Sequence, residues 1–197
     1  MSWIDAIILG LVEGITEFLP ISSTGHLILT KSLLGLEGDA ADRQLIVIQG
    51  AAILSVCWHY RERLWQTAMS LGGEAKSRMF VLNLFVAFLP LAILGLLLEE
   101  RIEAVLFAPI PVAIALIVGG VWMLLAEHFA AKRASVLGER SEISWTVAIL
   151  VGIAQVVAGV FPGTSRSGAT IFVALLAGTT NRVAATEFAF LVGIPTM

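Results

Sequence analysis

Four apolar stretches, residues 44–59, 79–98, 105–126 and 145–161, limit more than any other feature what this chain can fold into. The hydrocarbon core of a bilayer is about 30 Å thick and takes roughly 20 apolar residues of helix to cross, and these stretches approach or meet that length. Apolar residues make up 58% of the 197, charged residues 14%, and the mean hydropathy is +0.93. A soluble domain of this size has no core large enough to hide that content. The chain is therefore expected to be a single all-α, polytopic integral membrane domain spanning 1–197. Weaker or shorter apolar segments cover 4–19, 168–176 and 188 onward.

Other classes fall away. Met1 to Trp3 carry no basic residue, and Asp5, Glu13 and Glu17 interrupt the first apolar segment, so it does not read as a cleaved signal peptide. The single Cys57 lies within an apolar stretch and rules out a disulfide framework or a thiolate metal cluster. Arg and Lys form neither a stripe nor a tail, and no aromatic array accompanies them, so no nucleic-acid partner is expected. Residues 188–197 end in an apolar segment without a polar cap, and the sequence is expected to continue beyond Met197.

Basic residues concentrate in alternate connections. Arg61, Arg63, Lys76 and Arg78 fall in one, and Lys132, Arg133 and Arg140 in another, which places both on the cytoplasmic side. The acidic stretches 37–42 and 99–103 should then face outward. His59 and His128 read as residues at helix ends, and Trp58, Tyr60, Trp65, Trp122 and Trp145 as interface or packing residues. Gly119 and Gly120 permit close helix packing.

Against this frame stand two similar segments, GLVEGITEFLPISSTGH (residues 10–26) and GIAQVVAGVFPGTSRSG (residues 152–168), aligned at an offset of 142. Gly10 falls on Gly152, Glu13 on Gln155, Pro20 on Pro162, Ser22 on Thr164 and Ser23 on Ser165; Thr24 falls on Arg166 and His26 on Gly168. With the charge pattern above, residues 1–36 would form a re-entrant hairpin from outside and residues 143–181 one from inside. Such inverted-topology repeats bring half-helix ends together near the bilayer midplane.

The residues placed there are chemical. Glu13 and Glu17, four apart, share one helix face and suit a shared proton or a hard divalent cation, Mg2+ or Ca2+, better than zinc. A helix-packing pair is the bland alternative. The stretch 20–26 can end one helix and cap the next, leaving backbone N–H groups for a phosphate, with Ser22 and Thr24 as added donors. His26 is a candidate proton carrier and Ser23 a candidate nucleophile activated by it, with a packed, satisfied histidine as the alternative. In the second segment Arg166 offers a planar donor fork to phosphate oxygens, with Thr164, Ser165, Ser167 and Thr170 as small donors. An Arg166 merely neutralised by Glu13 or Glu17 is the structural alternative. The Lys and glycine spacing of a nucleotide-binding P-loop are absent.

EGITEFLPISSTGH (residues 13–26) and PGTSRSGAT (residues 162–170) closely resemble the undecaprenyl-diphosphate phosphatase, or bacitracin resistance protein, family over essentially the whole chain. The resemblance implies a magnesium- or calcium-dependent enzyme of the bacterial inner membrane. It would hydrolyse undecaprenyl diphosphate, a C55 polyprenyl lipid, to undecaprenyl phosphate and inorganic phosphate, recycling the carrier for cell-wall synthesis. It assigns Glu13 and Glu17 to the cation, Glu17, Ser23, His26 and Arg166 to catalysis, and Ser165 and Thr170 to the second motif. It also implies longer relatives and a cavity open to the external face. Serine attack and attack by activated water both stay open, as do a homodimer and the rival reading of a polyprenyl-phosphate transporter or flippase.

Overall fold

The computed structural model describes residues 2–196, and the described side chains leave out those of 39–40, 42 and 98–105. The acidic stretch 99–103 thus lies outside the described side chains, as do three of the six in 37–42, and Met197 lies outside the described residues. The regular structure of the described residues is helical: α1 (Trp3–Thr16), α2 (Ser23–Leu33), α3 (Asp39–His59), α4 (Arg61–Ser70), α5 (Ala75–Leu106), α6 (Pro109–Leu137), α7 (Trp145–Val160), α8 (Arg166–Ala177) and α9 (Arg182–Thr196). Two segments among the described residues are long and apolar enough to cross a membrane, Ala75–Leu97 and Pro109–Leu137. Their outer faces are bare: Leu124 is 75% and Leu96 88% exposed, a surface that lipid tolerates and water does not.

Local sequence explains the boundaries. Ser2 and Asp5 form a reciprocal capping box at α1, and the Ser144 hydroxyl accepts from Val147 N at the start of α7. Pro109 and Pro111 fall in the first turn of α6, where a missing N–H removes no helix hydrogen bond. Two expectations need correction. The stretch 61–78 is not a plain connection, because Arg61–Ser70 forms helix α4. Helix α6 also runs on through Lys132 and Arg133 to Leu137, since Ala-rich sequence sustains it until Gly138 turns it off at φ 68°. His128 is therefore inside a helix, whereas His59 does end α3.

The core lies where α5, α7, α8 and α9 meet, around Ala87, Val147, Val151, Ala174, Leu175, Phe188 and Val192. Helix α7 approaches α5 closely because Gly152 has no side chain: a Cβ there would stand 3.0 Å from Ala87 O and 3.1 Å from Pro90 Cγ. Gly119 plays a similar part against the Thr164 backbone, at 3.2 Å, whereas Gly120 faces no such neighbour. The connection after α6 is tied to the one before α9. Thr179 Oγ1 donates to Glu142 O (2.8 Å), Arg140 N to Thr180 Oγ1 (2.8 Å) and Asn181 N to Arg140 O (3.0 Å).

Helices α1, α2 and α3 begin at 3, 23 and 39, and α7, α8 and α9 at 145, 166 and 182, so the starts recur at offsets of 142, 143 and 143. The register thus slips by one at the first turn. One residue, Ile21, separates Pro20 from the capping Ser22, and two, Gly163 and Thr164, separate Pro162 from the capping Ser165. By helix position Ser22 matches Ser165, and Ser23 matches Arg166, which corrects the ungapped pairing of Ser23 with Ser165. The extra residue is accommodated by Gly163 at φ 114°, where a Cβ would lie 2.6 Å from Val112 O.

Candidate functional site

Each hairpin turn ends in a serine at positive φ, Ser22 at 68° and Ser165 at 64°, which caps the following helix. Ser22 Oγ accepts from Gly25 N (3.3 Å) and Ser165 Oγ from Gly168 N (3.1 Å). These left-handed corners carry the next residues, Ser23 and Arg166, into the same space. The turns also interlock: a Cβ on Gly25 would meet Gly163 Cα at 3.2 Å, and one on Gly168 would meet Pro20 O at 3.2 Å.

Glu17, the residue that closes α1, is where the two hairpins join. Ser23 Oγ donates to one of its carboxylate oxygens and Arg166 Nη2 to the other at 2.9 Å. The Glu17 side chain is 7% exposed, and the Arg166 side chain is 24% exposed, its tip reaching the void beside it. Arg166 Nη1 donates to Thr196 Oγ1 of α9 at 3.1 Å, and the guanidinium lies against Gly193, where a Cβ would approach Nη2 at 3.6 Å. A guanidinium has five N–H donors, so this arrangement leaves several for an anion.

The void is a cavity of about 600 Å³, into which Glu17, Ser23, Thr24, Ser167 and Arg166 face along with Gln49 of α3. One side is apolar, formed by α5 at Phe88, Leu91 and Gly95. Ser22 and Ser165 also line it, although their hydroxyls serve the helix caps. Other expected residues stand elsewhere. Thr164 lines a separate apolar cavity of about 850 Å³ between α6, α7 and α8. Thr170 is buried, its hydroxyl donating to Arg166 O (2.8 Å) and Ser167 O (3.1 Å). It braces the first turn of α8. His26 is half-buried with Nδ1 2.8 Å from Ser22 O, a contact in which Nδ1 donates to the carbonyl. Its recorded partner is that carbonyl, and that of Ser23 Oγ is Glu17.

Glu13 is 1% exposed, and neither of its carboxylate oxygens has a partner among the described residues. Its counterpart Gln155 is equally buried but satisfied, Nε2 donating to Ala87 O at 2.7 Å. Among the described residues no group of three or more His, Cys, Asp or Glu side chains converges as a metal cluster. Two polar side chains of the cavity, Gln49 and Thr196, stand outside both motifs. Thr196 gave no signal, and Gln49 gave one: it is the only polar side chain from 45 to 54.

These helices and this cavity define an all-α membrane protein whose polar centre is assembled from two helix–turn–helix units. Residues 6–197 match the family model described as "Bacitracin resistance protein BacA", and the chain belongs to that family. Among its relatives is an undecaprenyl-diphosphatase of Rhizobium etli (strain CIAT 652), 56% identical over 197 residues, which are all of this chain and 71% of that protein. An undecaprenyl-diphosphatase of Xanthomonas euvesicatoria pv. vesicatoria (strain 85-10) is 54% identical over 194 residues, 98% of this chain and 70% of that protein. The resemblance carried by the two motifs is borne out.

Proposed function

We propose that this protein is an undecaprenyl-diphosphate phosphatase, releasing inorganic phosphate from the C55 lipid diphosphate and returning the monophosphate carrier. Relatives at this identity bear that name, and one observation carries the chemistry: a hydroxyl and a guanidinium from different hairpins bracket one carboxylate beside a cavity. Arg166 binds the terminal phosphoryl oxygens and stabilises charge as the bond to the leaving group lengthens. In the serine route, Ser23 Oγ attacks the terminal phosphorus while its proton passes to Glu17. The bridging P–O bond breaks toward the lipid monophosphate, and water then cleaves the phosphoserine. In the water route, Glu17 takes the proton from water, and Ser23 and Arg166 hold the phosphoryl group. The Ser23–Glu17 hydrogen bond favours the first.

The family resemblance implies Mg2+ or Ca2+. Two unpartnered buried oxygens on Glu13, with Glu17 one helical turn away, are the donor type such a cation takes. Glu13 and Glu17 would hold it, and it would supply charge neutralisation for the diphosphate.

The hairpins read as re-entrant and oppositely inserted. Helices α1, α2, α7 and α8 have 14, 11, 16 and 12 residues, each short of the roughly 20 needed to cross, and the helix starts repeat as such a pair requires. With Arg61, Arg63, Lys76, Arg78 and the 132–140 bases inside, the cavity opens outward in the bacterial inner membrane.

Phosphate release by protein purified in detergent, with lipid diphosphate and Mg2+ or Ca2+, tests the activity, because transport needs a sealed compartment and hydrolysis does not. Folded protein that binds the lipid yet releases no phosphate would overturn the enzyme reading in favour of a carrier.

A further inference from the structure

Asn83, Gln155 and Gln49 are amides set within apolar helices away from their ends, and the first two are spent on backbone carbonyls. Asn83 Nδ2 donates to Ile143 O at 2.6 Å and Gln155 Nε2 to Ala87 O at 2.7 Å, each fastening α5 to the start or middle of α7. The third, Gln49, has no hydrogen-bond partner among the described residues. It is the eleventh residue of the 21-residue α3, hence at the middle of a helix about 31 Å long. A half-buried amide is costly to leave without a hydrogen-bonding partner. Gln49 is half-buried, and it faces the cavity shared by Glu17, Ser23 and Arg166. Helix α3 packs on α1, which ends at Glu17, and on α9, whose Thr196 holds Arg166. These two neighbours of α3 are therefore themselves parts of the site.

We propose that Gln49 is a further substrate-binding residue, its side-chain amide donating to a phosphate oxygen of the lipid diphosphate. The proposal rests on the reading of this cavity as the phosphatase site and adds to it a neutral donor from a third helix. The chemistry suits the position. The Arg166 guanidinium, with the cation that Glu13 and Glu17 would hold, already answers the anion's charge. A carboxamide adds a directed hydrogen bond without altering the charge balance. It is also unavailable to Ser23 as a base, so it binds without diverting the nucleophile's proton.

The test compares Gln49→Met, which keeps the length and removes the donor, with Gln49→Glu, which keeps the shape and sets a negative charge against the headgroup. Both are measured in detergent for kcat and KM with undecaprenyl diphosphate, and for inhibition by inorganic pyrophosphate, which carries the headgroup without the tail. A hydrogen bond to a charged group supports a rise of about 10- to 100-fold in KM and in the pyrophosphate inhibition constant for Q49M, with a larger rise for Q49E and an unchanged melting temperature for Q49M. Wild-type KM and pyrophosphate inhibition in Q49M would overturn the proposal, as would a loss confined to kcat. Should Q49M fail to fold, Gln49→Ala, which only widens the cavity, carries the same expectation. Arg166→Lys run in parallel separates the two readings. If R166K falls and Q49M does not, the Gln49 role alone fails; if R166K also keeps wild-type turnover, the cavity is not the phosphatase site.

Discussion

Glu17 holds two donors at once, and the two sides of its carboxylate respond differently to substitution. Glu17→Gln keeps the shape but cannot accept the Ser23 proton, and turnover should fall by about 100- to 1000-fold, the usual scale for losing one aligned polar group. Arg166→Lys preserves charge while removing the planar fork that reaches Glu17 and Thr196 together, so it should also lose at least about 10-fold in kcat/KM. Rapid-quench trapping with labelled lipid diphosphate checks the nucleophile: phosphoserine is expected, and its disappearance in Ser23→Ala would assign it. Absence of phosphoserine under trapping conditions would favour the water route. At this scale the sequence was informative where polar residues broke apolar runs, which exposed Glu17, Ser23 and Arg166. It could not show that Ser23 bonds Glu17 while His26 bonds a carbonyl, because helix phase and turn geometry decide those partners. Nor could it rank Gln49 above any other solitary polar residue.

Turns set the distance between the two hairpins, so glycine substitutions report on assembly. Gly163 is at φ 114° and a Cβ would lie 2.6 Å from a backbone oxygen that cannot move without α6. Gly163→Ala should destabilise by about 2–4 kcal/mol, visible as a lower melting temperature together with lost activity. Gly168→Ala meets chiefly the Met123 sulfur, at 2.5 Å, the end of a flexible side chain, and should be milder. An equal effect of both would count against the tight seating of Gly163 on the α6 backbone. Proline and glycine marked these breaks in the sequence, but the alignment without gaps hid the extra residue after Pro162. Helix α4 is not legible because its first three residues, Arg61, Glu62 and Arg63, resemble connecting charge; α6 outlasts its apolar run because Lys132 and Arg133 continue the helix.

For the molecule as a whole, the charge pattern gives an orientation that can be measured. In a Cys57→Ser background, Glu37→Cys should react with a membrane-impermeant thiol reagent on intact cells, and Arg140→Cys only after permeabilisation. The opposite labelling would place the cavity mouth on the cytoplasmic side. The membrane class was legible from hydropathy and the pairing of the two polar segments from their residue matches at an offset of 142, whereas the approach of α3 was not, since nothing local links it to residues more than a hundred positions away. The joining of Ser23 and Arg166 at one carboxylate also has a consequence in time. As the chain leaves the ribosome, Glu17 and Ser23 are present long before Arg166, and Thr196 follows last. The early polypeptide thus carries Glu17 and Ser23 without the Arg166 guanidinium, and the three come together only when the second hairpin arrives.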